Sequence, residues 1–527
     1  VAAGFLGGAL AAGLLLSGLA GLFGLKDGEF HGLLVLAAGG VGALFAARAG
    51  GGAPHSRRDA HGSAAFSAPD QDLADFREPS GLIVGRLLVE AGEAGPPAAP
   101  LLRLEGEGHL LTIAPTRSGK GVGALLPNLL LLQRSILCID PKGENARIAG
   151  RARAAMGEVF VLDPFGVSGR PTSAYNPLER LDPTSEDLAD EVQGIAEALV
   201  ADPPHLGGEA HWNEEAKALI AGILLYVATA RPAPLRTLTE ARRLLTQSAC
   251  GFTSLLDEMS GSRAAGGLVA RAANRHLAKA EREAAGVLSS AQRHTHFLDS
   301  ARLERVMGRS NFRFEDLKAR PCTVFLVLPP ERLASHARWL RLMVSEALAA
   351  LARAGAARPG APPVLFLLDE FAALGRLEVV AQAFGLMAGY GVQLWAILQD
   401  LHQLRAAYGR AAGTFLSNAS LLQVFNVADV ETAEFVSRAL GAATVMAAGA
   451  GRSVSRAPGQ WFASRSTSTN LGETRRPLLT SDEVMRLPKD RLLLFAPGRP
   501  PTLARKVRYF ADPEFEGLYE PAAAAAT

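Results

Sequence analysis

The eight residues Ala114-Pro115-Thr116-Arg117-Ser118-Gly119-Lys120-Gly121 lie between two apolar runs, Leu110 to Ile113 and Val122 to Leu132. That order reads as a strand, a tight loop and a helix. A loop in this position turns its backbone N–H groups toward phosphates, and a lysine at its end reaches their outer oxygens. The stretch follows the pattern G-x-x-x-x-G-K-[ST] with two departures. Ala114 stands in place of the first glycine, and Gly121 in place of the hydroxyl residue that usually helps to hold Mg²⁺. The competing reading is an ordinary glycine turn capped by Ser118. The nucleotide reading makes Pro115, Thr116, Arg117, Ser118, Gly119, Lys120, Gly121 and Val122 the phosphate cradle.

The rest of the chain supplies the sheet such a loop needs. Further runs are apolar on both faces: Ser135 to Asp140, Val159 to Asp163, Thr323 to Leu328, Val364 to Leu368, Val392 to Leu398 and Leu421 to Phe425. Continuous apolar strands alternating with helical stretches predict a parallel sheet covered on both sides. Shorter strand-like pieces precede the loop at 81–86, 87–90 and 101–105. From about Thr184 to Leu303 the pattern is helical, over 188–200, 212–230, 238–245 and 267–298, which predicts an all-α insertion. Met446 to Thr474 is Ser/Arg/Gly-rich without apolar periodicity and reads as a loop. Leu487 to Tyr519 returns to strand character, and the Ala-rich end from Pro521 reads as a disordered tail.

The second chemical signal is Val364-Leu-Phe-Leu-Leu-Asp369-Glu370. Two acids close an apolar strand at the edge where α/β sheets bind ligands. Asp369 is expected to hold Mg²⁺ and Glu370 to orient and deprotonate an attacking water. The alternative is a helix start that favours negative charge. Asp140, at the end of Ser135 to Ile139 and before Pro141-Lys142-Gly143-Glu144, is a second candidate for the metal. Gln399, after Val392 to Leu398, is placed to sense the γ-phosphate.

At the other end of the polarity scale, Ala2 to Leu25 carries no charge and Phe30 to Ala47 is nearly as apolar, with Lys26-Asp27-Gly28-Glu29 between them. Each run suits a membrane-spanning helix, and Arg48, Arg57 and Arg58 place the second helix's end inside the cell. A signal peptide is the rival for the first run, but a basic n-region is missing and another apolar run follows. The expected division is a two-helix transmembrane anchor at 1–49 and a linker at 50–79. The nucleotide-binding domain occupies 80–183 and 313–519, the all-α domain 184–312 and the tail 520–527. The chain's 527 residues suffice for several domains. Its net charge of +2 neither demands nor excludes nucleic acid. Three scattered cysteines, Cys138, Cys250 and Cys322, argue against a disulfide scaffold or structural zinc.

With these pieces in order, the chain resembles the TraG-type coupling proteins of bacterial type IV secretion and conjugation systems. The resemblance rests on the apolar pair, His61-Gly-Ser-Ala64, the stretch Ala114 to Gly123, Asp140-Pro-Lys-Gly-Glu144 and Tyr175-Asn-Pro-Leu178. It continues through His211-Trp-Asn213, Leu368-Asp-Glu-Phe371, Gln399-Asp-Leu401 and Arg476-Pro-Leu-Leu-Thr480. It implies a RecA-like P-loop ATPase at the inner membrane, main body in the cytoplasm, working as a homo-hexamer with ATP and Mg²⁺ between subunits. The implied partners are relaxase–DNA complexes or effector proteins, the secretion channel, and DNA held without sequence preference. By position the resemblance assigns Lys120 to phosphate, Asp369 to Mg²⁺, Glu370 to the water and Gln399 to the γ-phosphate. A ring ATPase also needs an arginine from the neighbouring subunit, for which Arg376 and Arg410 are the candidates. Arg452, Arg456 and Arg465 in the 446–474 stretch are candidates for DNA contact. Two other readings stay open: a nucleotide-binding recruitment scaffold with little hydrolysis, and an FtsK-like DNA translocase.

Overall fold

The computed structural model describes residues 61–89, 99–200, 210–356, 360–455 and 464–521. The two apolar runs read as membrane helices, the linker's first residues, Arg456 and most of the tail lie outside the described residues. No helix among the described residues is long and apolar enough to cross a membrane.

The strands are β1 Leu82–Arg86, β2 Leu101–Leu104, β3 His109–Ile113, β4 Ile136–Ile139, β5 Glu158–Leu162, β6 Cys322–Leu326 and β7 Val364–Leu368. They continue with β8 Val392–Leu398, β9 Ala419–Val424, β10 Ala442–Ser455, β11 Ser464–Pro477, β12 Arg491–Phe495 and β13 Thr502–Arg505. Eleven of them form one sheet in the order β2-β1-β13-β12-β9-β3-β8-β7-β4-β6-β5. From β9 to β5 every pairing is parallel. From β2 to β9 every pairing is antiparallel.

Within the parallel part, alternate residues of each strand enter different cores. Leu111, Ile113, Phe366 and Leu368 join the core shared with the helices Leu188–Leu199, Ala210–Ala230 and Pro330–Arg353. Leu110, Leu365 and Leu367 join the core under Leu126–Leu131 and Glu144–Met156. This two-sided burial is why these strands carry apolar residues at every position rather than at every second one.

Between β5 and β6 the described residues contain helices and no strand. The expected single run at 267–298 is divided there into Leu268–Leu277 and Glu281–Thr295. Ala280 turns extended, with ψ 145°, at the break. The core is continuous from this lobe into the sheet. His211-Trp-Asn213 serves that packing: Trp212 covers Gly286, where a Cβ would stand 2.7 Å from the indole. Asn213 Oδ1 lies 2.9 Å from His294 Nε2.

Two further expectations differ from the structure. Residues 87–89 extend no strand; Leu87 only bonds its N–H to Pro100 O at 3.0 Å. The stretch read as a loop forms a separate two-stranded sheet, β10 with β11. Its sequence is rich in Ser, Thr and small residues and lacks a regular apolar alternation, so a period-based reading passes over it. Within this unit the His61-Gly-Ser stretch is used as backbone: Ser63 bridges Ala443, and Thr444 N–H donates to Gly62 O at 3.0 Å.

Candidate functional site

The parallel order β3-β8-β7-β4 brings the carboxyl ends of these strands to one edge, so the turns that follow them are neighbours. Ile113 is registered with Leu398, and Ala114 N–H donates to Leu398 O at 2.7 Å. Ala114 therefore continues the strand and needs no glycine conformation, which accounts for the first departure from the motif. One strand further, Leu368 is registered with Ala396, which sets Asp369 and Glu370 beside the loop.

The side chains close on one another there. Lys120 Nζ lies 2.8 Å from Asp369 Oδ1 and 2.8 Å from Glu370 Oε1. Gln399 Nε2 donates to Glu370 Oε2 at 3.1 Å, and Thr116 Oγ1 donates to Gln399 Oε1 at 3.4 Å. Lys120, Asp369, Glu370 and Gln399, picked out from separate stretches of sequence, thus form one connected group. Two of the three described non-glycine residues with positive φ belong to this site, Arg117 at 62° and Glu370 at 53°. Such conformations cost free energy and persist where surrounding contacts enforce them.

The loop has room and spare donors for an anion. Gly119 has φ 92°, and neither it nor Gly121 has an atom within 4 Å of an added Cβ. Ser118 Oγ is buried without a hydrogen-bond partner. Gly123 N–H returns to Gly119 O at 2.8 Å, and Gly121–Leu125 forms a wide π turn before Leu126–Leu131. Such wide turns recur at functional sites. Among the described residues no group of three or more His, Cys, Asp or Glu could by itself hold a metal. A Mg²⁺ ion here would take Asp369 as a protein ligand and complete its shell from phosphates and water, the usual arrangement for this ion.

Burial works against the charge of Lys120, but Asp369 and Glu370 outweigh it and hold the ammonium above its ordinary range. Lys120 is therefore a cation at any physiological pH. Burial raises the Asp369 carboxyl, and Lys120 opposes the rise. Lys120 spends two of its three N–H donors on these acids, so an incoming phosphate would compete with them for the ammonium.

The other named residues sit elsewhere. Asp140 is 1% exposed and accepts Ala146 N–H at 2.8 Å, at the start of Glu144–Met156. Burial pushes its carboxyl up to about 6. Arg376 pairs with Glu378 at 3.1 Å and lines a cavity of about 950 Å³ with Arg180, Glu191 and Arg341. Arg410 is exposed on the turn Gly409–Ala411 beside Leu404 and Leu416. Neither arginine meets Lys120 or Glu370 within this chain. The side chains of Arg452 and Arg465 lie outside the described residues.

Sequence reasoning passes over Lys506 and Asn426. Lys506 Nζ donates to Ser118 O at 2.7 Å and to Asn426 Oδ1 at 2.6 Å. Lys506 lies in Arg505-Lys-Val-Arg508, and nothing local separates it from a solvated strand end. Asn426, two residues after the end of β9, is visible as a polar residue at the same sheet edge as Asp369 and Gln399.

Fold and site together define a phosphate-loop α/β protein. Residues 65–526 match the family model described as "Type IV secretory system Conjugative DNA transfer". The chain belongs to this family of conjugative DNA-transfer coupling proteins. It is 31% identical over 450 residues to the conjugal transfer protein TraG of Escherichia coli, covering 79% of this chain and 69% of that one. It is 30% identical over 439 residues to protein VirD4 of Agrobacterium fabrum, covering 78% of this chain and 60% of that one. Among solved structures it resembles the plasmid coupling protein TrwB in complex with ADP and Mg²⁺. The TM-score is 0.63 at 16% identity, over 87% of this chain and 97% of that one. Unbound TrwB lacking its N-terminal segment gives 0.62 at 17% identity, over 84% and 92%. These likenesses establish the fold of the chain as that of TrwB, an α/β architecture with a mostly parallel central sheet.

Proposed function

We propose that this chain is an inner-membrane ATPase that couples substrate recruitment to transfer through a type IV secretion channel. Lys120, clamped between Asp369 and Glu370 and linked through Gln399 to the loop, is the observation that carries this reading. Bound Mg²⁺ would neutralise phosphate charge and polarise the bond to be broken. Lys120 releases its carboxylates and turns to the phosphate oxygens. Asp369, freed from Lys120, is the residue that would hold Mg²⁺. Glu370 takes the proton of the attacking water, and Gln399, bonded to both loop and acid, registers whether the terminal phosphate is present.

The apolar pair in residues 1–49 would anchor the chain twice in the inner membrane with its body in the cytoplasm. A homo-hexamer, with an arginine such as Arg376 or Arg410 supplied across the subunit boundary, fits their separation from the chain's own Lys120. The cargo would be a relaxase–DNA complex or an effector protein, with DNA gripped through its backbone. TrwB, whose fold this chain shares, has been solved in complex with ADP and Mg²⁺, which supports the same ligands here.

A second reading, nucleotide-dependent recruitment with little hydrolysis, draws on the occupied state of Lys120 and the missing hydroxyl at Gly121. ATPase rates of the full chain with and without single-stranded DNA separate the two. The pump reading expects Glu370→Gln to lower the rate about 10²–10⁴-fold while ATP still binds. A wild-type protein that binds ATP and never turns over, with DNA and at concentrations that favour assembly, supports the scaffold.

A further inference from the structure

Lys506 is a lysine buried where solvation cannot explain its presence. It follows β13 and is 7% exposed. Its ammonium donates to Ser118 O at 2.7 Å and to Asn426 Oδ1 at 2.6 Å, and lies 4.8 Å from the centre of the Phe425 ring. These contacts reach the phosphate loop, the turn after β9 and the aromatic ring that begins that turn. The backbone nearby is fixed as well. Lys506 N–H donates to Asp490 O at 2.7 Å, and Asn426 Nδ2 donates to Leu487 O at 2.7 Å. Gly123 leaves room for this segment, since a Cβ there would stand 3.1 Å from Val507 O.

Ser118 O belongs to the peptide that leads into Gly119, at φ 92°, one residue after Arg117, at φ 62°. Sparsely populated conformations on either side of Ser118 persist where contacts enforce them, and Lys506 supplies one to the Ser118 carbonyl. Fixing that carbonyl also fixes the opposite side of the same peptide plane, the Gly119 N–H, and so the direction in which the loop presents donors.

We propose that Lys506 is a positioning residue for nucleotide: its ammonium holds the Ser118 carbonyl so that the loop amides are aimed at phosphate before ATP arrives. This role rests on the nucleotide reading of the site. It requires no contact between Lys506 and the ligand. A preformed loop spares the ligand the ordering cost, so its loss weakens binding more than turnover.

Burial supports a distinctive signature, because it brings the Lys506 ammonium down to about 8; Asp490 works to raise it and Arg508 to lower it. The ammonium is complete below that pH and lost above it. A bound polyphosphate favours the charged form, so affinity is expected to fall as pH rises past about 8. Lys120, held above its ordinary range, does not titrate there.

The test measures binding of a fluorescent ATP analogue with Mg²⁺ to the full chain in detergent from pH 7 to 9.5, for wild type, Lys506→Met and Lys506→Arg, with melting temperatures alongside. Wild type is expected to lose affinity above pH 8. Lys506→Met should bind about tenfold or more weakly at pH 7 and lose the alkaline decline. Lys506→Arg, whose charge persists, should restore most of the affinity and keep it at high pH. In steady state Lys506→Met should raise KM more than it lowers kcat. Equal affinity of wild type and Lys506→Met at pH 7, or a wild-type profile flat to pH 9.5, overturns the proposal while leaving the nucleotide site standing. Wild type that binds no analogue at any pH overturns both. If Lys506→Met does not fold, Lys506→Arg decides: it must keep its affinity at pH 9, where wild type has lost it.

Discussion

The parallel half of the sheet and its antiparallel extension obey different rules. In β3, β4, β7 and β8 every residue is buried, and the residues of the candidate site lie in the turns that follow β3, β7 and β8. In the extension, burial alternates in β2 and β13, although β1 is buried throughout, and the turns carry no acid toward Lys120. Yet the extension holds the site in place. Lys506 follows its strand β13 and supports the phosphate loop. Asn128, on the helix behind the loop, bonds both N–H and O of Ile83 in β1 at 2.8 Å. The parallel half supplies reactive groups, and the antiparallel half supplies their restraint.

A buried polar chain joins the halves and gives the largest expected effect of the three changes that follow. Trp395 Nε1 donates to Thr112 Oγ1 at 2.7 Å, Thr112 Oγ1 to Gln423 Oε1 at 2.8 Å, and Gln423 Nε2 to Val84 O at 2.7 Å. Thr112 and Gln423 are fully buried. Two strands separate β1 from β9 in the sheet order, so the extension curls back for this contact. Thr112→Val keeps the shape and strands the indole N–H and the Gln423 oxygen. The expected cost is roughly 2–6 kcal/mol, from about 1–3 for each of the two unpaired buried groups. A lower urea midpoint with unchanged slope would be its mark. A loss below about 0.5 kcal/mol, small beside the about 1–3 for one unpaired buried group, would mean that packing alone joins the two halves.

Asp140 tests whether an acid at the same sheet edge as Asp369 must be chemical. Its folded carboxyl sits at about 6, above the usual 3.8. The folded state therefore holds this proton more tightly than the unfolded chain across that window. Stability from this group falls as pH rises from about 4 to 6 and stays low above it. Asp140→Asn should gain on wild type over that range and level off beyond it, by about 1 kcal/mol after allowing for the altered bond to Ala146 N–H. Nucleotide binding should change less than about twofold, within the ordinary scatter of a substitution that touches no ligand, whereas Asp369→Asn should abolish Mg²⁺-dependent turnover. Denaturant midpoints at about pH 4.5 and 7, on either side of the titration, check the first statement. Loss of turnover in Asp140→Asn comparable to that in Asp369→Asn would move the metal role to Asp140.

How much of this is legible in the sequence follows the same division. Strands buried on both faces announce themselves by composition, so β7 and β8 can be read to the residue, and the acids and amide ending them come with them. Lys120, Asp369, Glu370 and Gln399 need only the parallel order to meet. The extension is harder because β2 and β13 are short and half-buried, and the sequences of β10 and β11, in their separate sheet, lack an apolar period. Lys506 is illegible for a physical reason: its partners are a backbone carbonyl 388 positions away and an amide 80 positions away. No periodicity encodes a contact between a side chain and a distant carbonyl.

Gly121 returns the comparison to the reactive half, with the smallest expected effect. The position is not glycine for lack of space, since nothing stands within 4 Å of an added Cβ. Its φ does not require glycine either: it is absent from the positive-φ glycines that include Gly119. Gly121→Ser should therefore fold as wild type and place a hydroxyl beside the cation that Asp369 is proposed to hold. Half-saturating Mg²⁺ for ATPase should fall a few-fold, or about 1 kcal/mol or less, since the hydroxyl only replaces a water in the shell. A Mg²⁺ titration at fixed ATP reads this directly. An unchanged Mg²⁺ requirement would mean that the cation lies away from position 121, and that the missing hydroxyl has no bearing on how fast this site turns over.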